Sequence, residues 1–165
     1  MELFLQLEKG LWAGFAALGF AVLFNVPRRT LVIIWLIGAL GGFAKFFFMD
    51  LGLNIVVASL FSAALIGFIS VYAAHIQKSP PLIFSIPSVI PMVPGAFAYR
   101  MMLGFMKLVG EQTDSATYIQ TLADTTNNGL KAFFILMALA AGVSIPMLIT
   151  RKETFKRTKR TDEQS

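Results

Sequence analysis

The sequence has no cysteine and few charged residues. None of the 165 residues is a cysteine, and Asp, Glu, Lys and Arg together make up only 14%. The first absence excludes a disulfide framework, thiol chemistry and any cysteine-ligated metal. A soluble domain would carry about 25% charged residues. Because 56% of the residues are hydrophobic, the chain is predicted to lie in a membrane.

Residue types that carry catalytic chemistry are also scarce. His75 is the only histidine and lies at the edge of a hydrophobic run, and the predicted spans contain no pair of acids and no His-Glu motif. A membrane enzyme needs a nucleophile or a base at the membrane site. The acidic residues within 111–128 do not have EF-hand or other ligand spacing. The sequence therefore predicts neither an enzyme nor a metal site.

No ten-residue segment alternates between apolar and polar residues as a membrane strand does, so the fold is predicted to be all-α. Residues 1–150 are predicted to form a transmembrane domain of about five helices, and residues 151–165 a basic cytoplasmic tail. A polar loop is expected over residues 110–128, in which residues 115–123 can form a short helix at the membrane surface, capped by Asp114 or Ser115. The predicted spans are residues 5–26, 31–49, 55–74, 82–109 and 130–149.

The basic residues predict the orientation of these spans. With five spans, one side of the membrane collects nine Lys or Arg residues and the other collects four. Cytoplasmic segments carry the excess of positive charge, so the N-terminus is predicted outside and the C-terminus in the cytoplasm. The basic residues behind the net charge of +5 are therefore interpreted as setting the membrane topology and contacting lipid headgroups. No nucleic-acid partner is predicted. The nine are Arg28, Arg29, Lys78, Arg151, Lys152, Lys156, Arg157, Lys159 and Arg160.

The fourth predicted span is interrupted by prolines. Residues 86–95 read IPSVIPMVPG, with three prolines and a glycine in ten positions. Proline removes a backbone donor and clashes with the preceding turn, so a continuous helix cannot pass smoothly through this segment. Broken segments of this kind indicate transport sites in membrane proteins. The pattern leaves open whether the segment crosses the membrane or re-enters it.

A second half-helix is predicted to begin after Pro94. Its free N–H groups and positive dipole end favour a bound carboxylate, and the guanidinium of Arg100 can bind a carboxylate through two donors. The alternative for Arg100 is a charge that extends outward to the membrane surface. The predicted substrate-binding residues are Ser88, Pro91, Pro94, Gly95, Tyr99 and Arg100.

Small and polar residues in the other spans predict helix contacts. Gly38, Gly41 and Gly42 allow close helix approach in lipid, and Asn25 is interpreted as a helix cap. Lys45 is expected to extend to the membrane surface, with pairing to an acid or a substrate carboxylate as the alternative. A weakly polar stripe for helix contact is formed by Ser59, Ser62, Gly67 and Ser70.

Four short motifs carry a resemblance to a known family. They are FNVP at residues 24–27, GLN at 52–54, IPMVPG at 90–95 with Tyr99 soon after, and SIP at 144–146. With these motifs the chain resembles the threonine/serine exporter family over essentially its whole length. It is similar to the small-subunit form, which corresponds to the C-terminal membrane half of the fused exporters.

The resemblance implies a bacterial inner-membrane exporter that works with a separate larger membrane subunit. The implied substrate is a small carboxylate, either a succinate-type dicarboxylate or threonine and serine, and the residues leave this choice open. No metal or nucleotide cofactor is implied, and the sequence has no Gly-rich phosphate loop. If the partner half also has five spans, the two halves have opposite topology, which places binding sites at the midplane.

A different class of function also fits the sequence. The chain could be a structural or regulatory membrane subunit that stabilises its partner and does not line the pathway. Protection of residues 87–100 by substrate would distinguish a pathway subunit from a structural one.

Overall fold

The computed structural model describes residues 2–110 and 114–162, with side chains for residues 4–110 and 114–150. Every regular element in these ranges is a helix. The prediction of an all-α membrane protein is confirmed. Helices suit this environment because they satisfy their backbone hydrogen bonds within one segment, where lipid offers none.

Six α-helices follow one another along the described chain, with short 3-10 turns at Arg28–Thr30 and Ile90–Met92. The helices are α1 (Glu2–Leu23), α2 (Leu31–Asp50), α3 (Ile55–Gln77), α4 (Leu82–Val89), α5 (Gly95–Gly110) and α6 (Ser115–Asp162).

Three helical stretches are long and apolar enough to cross a membrane: Arg28–Asp50, Ile55–Gln77 and Ser115–Thr150. The segments Leu82–Met92 and Gly95–Gly110 pass the same test together, as a broken span or a re-entrant loop. Length and composition therefore support three spans, or up to four, within the described residues. Because α1 is not among them, the count of five spans stays a prediction.

The contacts divide the chain into two compact units. The first comprises Met1–Met92 and Ala138–Ser165, and the second comprises Val93–Met137. The boundary falls inside the proline-rich segment, so α4 belongs to the first unit and α5 to the second.

The closest packing in the first unit is made by glycines of α2. A Cβ atom added to Gly38 would lie 2.5 Å from the Cβ of Ala17, and one added to Gly42 would lie 2.5 Å from the Cβ of Ala13. Such distances are too short for real side chains, so only glycine fits at either position. Since apolar burial does not drive association between lipid-embedded helices, this close van der Waals contact is a main source of attraction. The predicted close approach is confirmed.

Asparagine residues cap two of the helices, one at its C-terminal end and one at its N-terminal end. Asn25 has a left-handed backbone conformation with φ of 54° after α1, and the Val26 amide donates to the carbonyl of Ala21 at 3.0 Å. This is the hydrogen bond of a Schellman cap, so the predicted capping role of Asn25 is confirmed. At the start of α3, the side chain of Asn54 accepts a hydrogen bond from the Val56 amide at 3.2 Å.

The polar stretch is mostly helical. The short helix expected over residues 115–123 is confirmed, but α6 begins at Ser115 and continues without interruption to Asp162, so the loop predicted over residues 124–128 is wrong. Thr and Asn have only modest helix propensity, which is why the sequence favours a loop. Thr125 packs against Gly104 of α5 and is only 2% exposed. This tertiary contact outweighs the local preference.

The close α1–α2 contact predicts the effect of a bulky substitution. We expect Gly38→Leu to destabilise the purified chain by about 1–3 kcal/mol, because it overpacks the contact with Ala17. Gly19→Leu is the matched control, since nothing lies within 4 Å of a Cβ atom at that position. Unfolding in increasing concentrations of denaturing detergent measures both. Equal losses of stability in the two variants would contradict the packing assignment.

Candidate functional site

The proline-rich segment is broken as the sequence predicts. α4 ends at Val89 with Pro87 inside it, a 3-10 turn covers Ile90–Met92, and α5 begins only at Gly95. A proline offers no backbone N–H to the helix, so carbonyls one turn earlier lose their usual partner. Groups left in this way need partners from side chains or other helices.

The ammonium group of Lys45 supplies a partner to the carbonyl at the end of the 3-10 turn, which the break in the helix leaves without a backbone partner. Lys45 lies on α2, and its Nζ donates a hydrogen bond to the Met92 carbonyl oxygen at 3.1 Å. Met92 is the last residue of the 3-10 turn and is 3% exposed. A hydrogen bond to a charged group contributes about 1.5–3 kcal/mol. The predicted extension of Lys45 to the membrane surface is therefore wrong, because its ammonium holds the end of the broken segment.

The face of α2 that carries Lys45 also carries a glycine, Gly41. Gly41 lies one turn earlier, where an added Cβ atom would lie 2.4 Å from Ile66 Cδ1 and 3.8 Å from Met92 Sδ. The absence of a side chain at Gly41 lets α2 approach Ile66 of α3, and the Cβ position at Gly41 is in ordinary van der Waals contact with Met92.

Ser88 lies in the buried interior of the first unit. Its hydroxyl is 2.7 Å from the carbonyl oxygen of Phe84 and 3.3 Å from that of Ile34, and it donates to these acceptors. The side chain is 0% exposed. Ser88 therefore ties α4 to α2, and its proton is already engaged in the structure.

Other buried serines of the first unit have no partner. The hydroxyls of Ser59, Ser62 and Ser70 on α3 and of Ser85 on α4 are fully buried, with no hydrogen-bond partner among the described residues. An unsatisfied buried hydroxyl costs about 1–3 kcal/mol. These four serine hydroxyls can therefore form hydrogen bonds with water or with a polar solute.

The start of α5 has fewer free N–H groups than the sequence analysis expects. The Gly95 amide donates to the carbonyl of Val93 at 2.9 Å, and the amides of Phe97 and Ala98 both donate to the carbonyl of Pro94 at 3.2 Å. In this part of the chain, only the second amide of the helix has no partner. The dipole of α5 remains, but a carboxylate would find one free donor among the first four amides of the helix.

The remaining predicted site residues are distributed between the two units. Pro91 is half-buried in the first unit and Pro94 is buried in the second. Tyr99 is 64% exposed on α5. Arg100 is also exposed, and it lines a groove with residues of α6.

An apolar cavity of about 310 Å³ lies beside α4 in the first unit. It is lined by Phe24, Val26, Leu82, Ile83, Ile86 and Pro87. The FNVP motif and the first proline of the broken segment therefore share one cavity. No polar side chain lines it, so it offers nothing that would orient a carboxylate.

Metal-binding and catalytic residue types do not cluster in the described residues. His75 uses its Nδ1 in a 2.7 Å hydrogen bond with the carbonyl of Val71, one turn earlier on α3. No group of three or more His, Asp or Glu residues within the ranges 4–110 and 114–150 could hold a metal ion.

Sequence reasoning missed two features of this region. Lys45 was assigned to the membrane surface, although a lysine within a span is itself a signal of function. Lys107 and Asp124 line the groove of Arg100, but neither was selected, because the pairing of α5 with α6 has no signature in the sequence.

Comparison with known proteins identifies the family. A profile described as "Threonine/Serine exporter, ThrE" matches residues 9–149. An uncharacterized protein of Haemophilus influenzae is 31% identical over 139 residues, which is 84% of this chain and 46% of the relative. The chain thus spans about half the length of this curated relative. No solved structure matches.

The profile covers all six helices in whole or in part, including Lys45 and the broken segment. The expectation drawn from the four short motifs is therefore confirmed at the level of the family. The chain belongs to the threonine/serine exporter family, a family of membrane transporters.

Proposed function

We propose that this chain is one membrane subunit of a two-component exporter of small carboxylates, in which the substrate meets the broken segment. The single observation that carries this proposal is the break itself, with the Met92 carbonyl held by the ammonium of Lys45. Membership of a transporter family gives the class of activity. Broken helices near the midplane are where secondary transporters bind substrates and ions.

Lys45 is the group best placed to bind the substrate carboxylate. Its ammonium has three donors, and the structure engages one of them with Met92. The others can bind an anion while the first keeps the break in position. Lys45 therefore joins Ser88, Pro91, Pro94, Gly95, Tyr99 and Arg100 as a proposed substrate-site residue.

The proposed partner is a larger membrane protein of the same family. Support comes from the resemblance of the chain to the small-subunit form of the family, which works with such a larger subunit. The proposed location is a bacterial inner membrane, with the N-terminus outside and the C-terminus in the cytoplasm, in agreement with the distribution of basic residues.

The role of Lys45 can be tested by removing its charge at constant length. Lys45→Met should weaken substrate affinity by about 10- to 100-fold, because one charge-assisted hydrogen bond contributes about 1.5–3 kcal/mol. Lys45→Arg should retain most of the affinity, since it keeps both charge and donors. The apparent KM for efflux of succinate and of threonine measures the effect.

Lys9→Met is the matched control, because Lys9 is an exposed lysine of the same unit. Immunoblots of membrane fractions establish that all variants reach the membrane in equal amounts. Efflux by Lys45→Met at the rate and KM of the unsubstituted chain would refute the assignment.

The two-component arrangement has its own test. Bacterial cells would carry this chain alone, the larger subunit alone, or both, and efflux of succinate and threonine would be compared. We expect substantial efflux only with both components. Equal efflux from cells that carry the chain alone would contradict the arrangement, whereas undiminished efflux from the larger subunit alone would favour a structural role for this chain.

A further inference from the structure

The apolar cavity of the first unit, with a volume of about 310 Å³, lies beside the first turns of α4. Phe24 and Val26, which follow α1, contribute to its lining together with four residues of α4. Its lining extends from Leu82 to Pro87, which corresponds to about 7 Å along the helix axis. Because Leu82 is 52% and Ile86 is 44% exposed, the cavity is open at the surface of this unit.

The cavity lies near one membrane surface. The stretches Arg28–Asp50 and Ile55–Gln77 are each long and apolar enough to cross a membrane, and only a short turn joins them. Neighbouring helices joined by a short loop run in opposite directions, so Arg28 and Gln77 lie on the same side. α4 begins at Leu82, shortly after Gln77, and its start therefore lies near that surface as well.

Three basic residues lie at this surface next to the cavity. Arg28 and Arg29 follow Val26 in the sequence by two and three residues, and Cα atoms two residues apart are separated by at most about 7 Å. Lys78 follows α3 directly and precedes the start of α4 at Leu82. All three basic side chains are exposed. We call Arg28, Arg29 and Lys78 the basic rim of the cavity.

The charges of the basic rim are not neutralised within the described part of the chain. No ion pair or side-chain hydrogen bond engages any of the three residues there. Between positions 20 and 90 the sequence has one acidic residue, Asp50, and it lies at the opposite end of α2. Glu2 and Glu8 lie in the first turns of α1, far along that helix from the rim. Residues 138–150 contain no acid.

We propose that the cavity and its basic rim together bind an anionic phospholipid. One acyl chain lies in the apolar cavity, and the phosphate lies at the basic rim. A guanidinium can bind phosphate oxygens through two donors, and the other cations of the rim attract the headgroup over a Debye length. The inference goes beyond the proposed function, because it assigns a lipid ligand and not a transported substrate.

The combination of an apolar lining and a basic rim favours this occupant over two others. A soluble anion has no apolar part, so it would gain nothing from the burial of apolar surface in the cavity. An apolar helix of another subunit could cover the cavity, but it would leave the rim charges without an anion. An anionic phospholipid is complementary to both parts of the site.

Native mass spectrometry of the purified full-length chain, titrated with single lipids, tests the site. The probes are dioleoyl phosphatidylglycerol, which is anionic, and dioleoyl phosphatidylcholine, which has the same acyl chains and no net charge. We expect the unsubstituted chain to bind phosphatidylglycerol about fivefold more tightly or better, the effect of one or more basic residues near an anionic headgroup. The double variant Arg28→Gln with Arg29→Gln should lose most of this preference.

The matched control for charge is the double variant Lys107→Gln with Lys131→Gln, which removes two exposed positive charges outside the basic rim. This control should keep the preference for phosphatidylglycerol. Circular dichroism establishes that each variant is folded.

A second variant tests the cavity separately from the charges. Ile86→Trp should weaken phosphatidylglycerol binding about tenfold, because the larger side chain displaces roughly two methylene groups of the acyl chain. Leu36→Trp is the matched control, since Leu36 is 48% exposed on α2 and does not line the cavity. It should bind phosphatidylglycerol as the unsubstituted chain does.

Equal affinity of the unsubstituted chain for the two lipids would overturn the proposal. An equal loss of preference in the arginine pair and the lysine pair would also overturn it, because any exposed charge would then serve. Phosphatidylglycerol binding that Ile86→Trp leaves unchanged would refute the cavity as the acyl-chain site. If that variant instead prevented assembly with the larger subunit, the cavity would belong to a protein interface.

Discussion

The hydrogen bond from the Lys45 ammonium to the Met92 carbonyl is the interaction on which the rest of this account depends. Lipid offers no partners to backbone groups, so a helix can break inside a membrane protein only where other groups satisfy its ends. Three prolines within ten residues break the helix. The charged side chain of Lys45 from α2 forms a hydrogen bond with one carbonyl at the break. A lysine used in this way keeps further donors. The same group can therefore stabilise the break and bind an anion.

The surrounding packing makes that bond possible. At Gly41, a side chain would clash with Ile66 of α3, so glycine allows α2 and α3 to pack closely beside the end of the broken segment. Gly38 and Gly42 bring α1 against the neighbouring face of α2 in the same manner. The motifs FNVP and GLN end and begin helices through Asn25 and Asn54. Two of the four motifs thus contain helix caps, whereas the IPMVPG segment contains the break itself.

Much of this could be read from the sequence, because apolar runs and breakers act locally. The boundaries of α2 and α3, the Asn25 cap and the break before Gly95 all follow from residues within one turn of the feature. The helical state of residues 124–128 does not, because it depends on Thr125 meeting Gly104 of another helix. Lys45 was misjudged for the same reason, since its acceptor is 47 residues away. Arg100 lies on α5 and its role stays a prediction, and its neighbours in the groove include residues of α6, which no sequence pattern indicates.

The central claim is that substrate reaches the broken segment, and the lack of cysteine allows a direct measurement. Single-cysteine variants Val93→Cys and Gly95→Cys would be labelled with a membrane-impermeant thiol reagent in exporting cells, with Gly19→Cys as the control. Val93 is 45% exposed, and nothing lies within 4 Å of a Cβ atom at Gly95 or Gly19. The account predicts that substrate slows labelling at the two positions of the break and leaves the control unchanged. Labelling at the break that is indifferent to substrate during active export would contradict it.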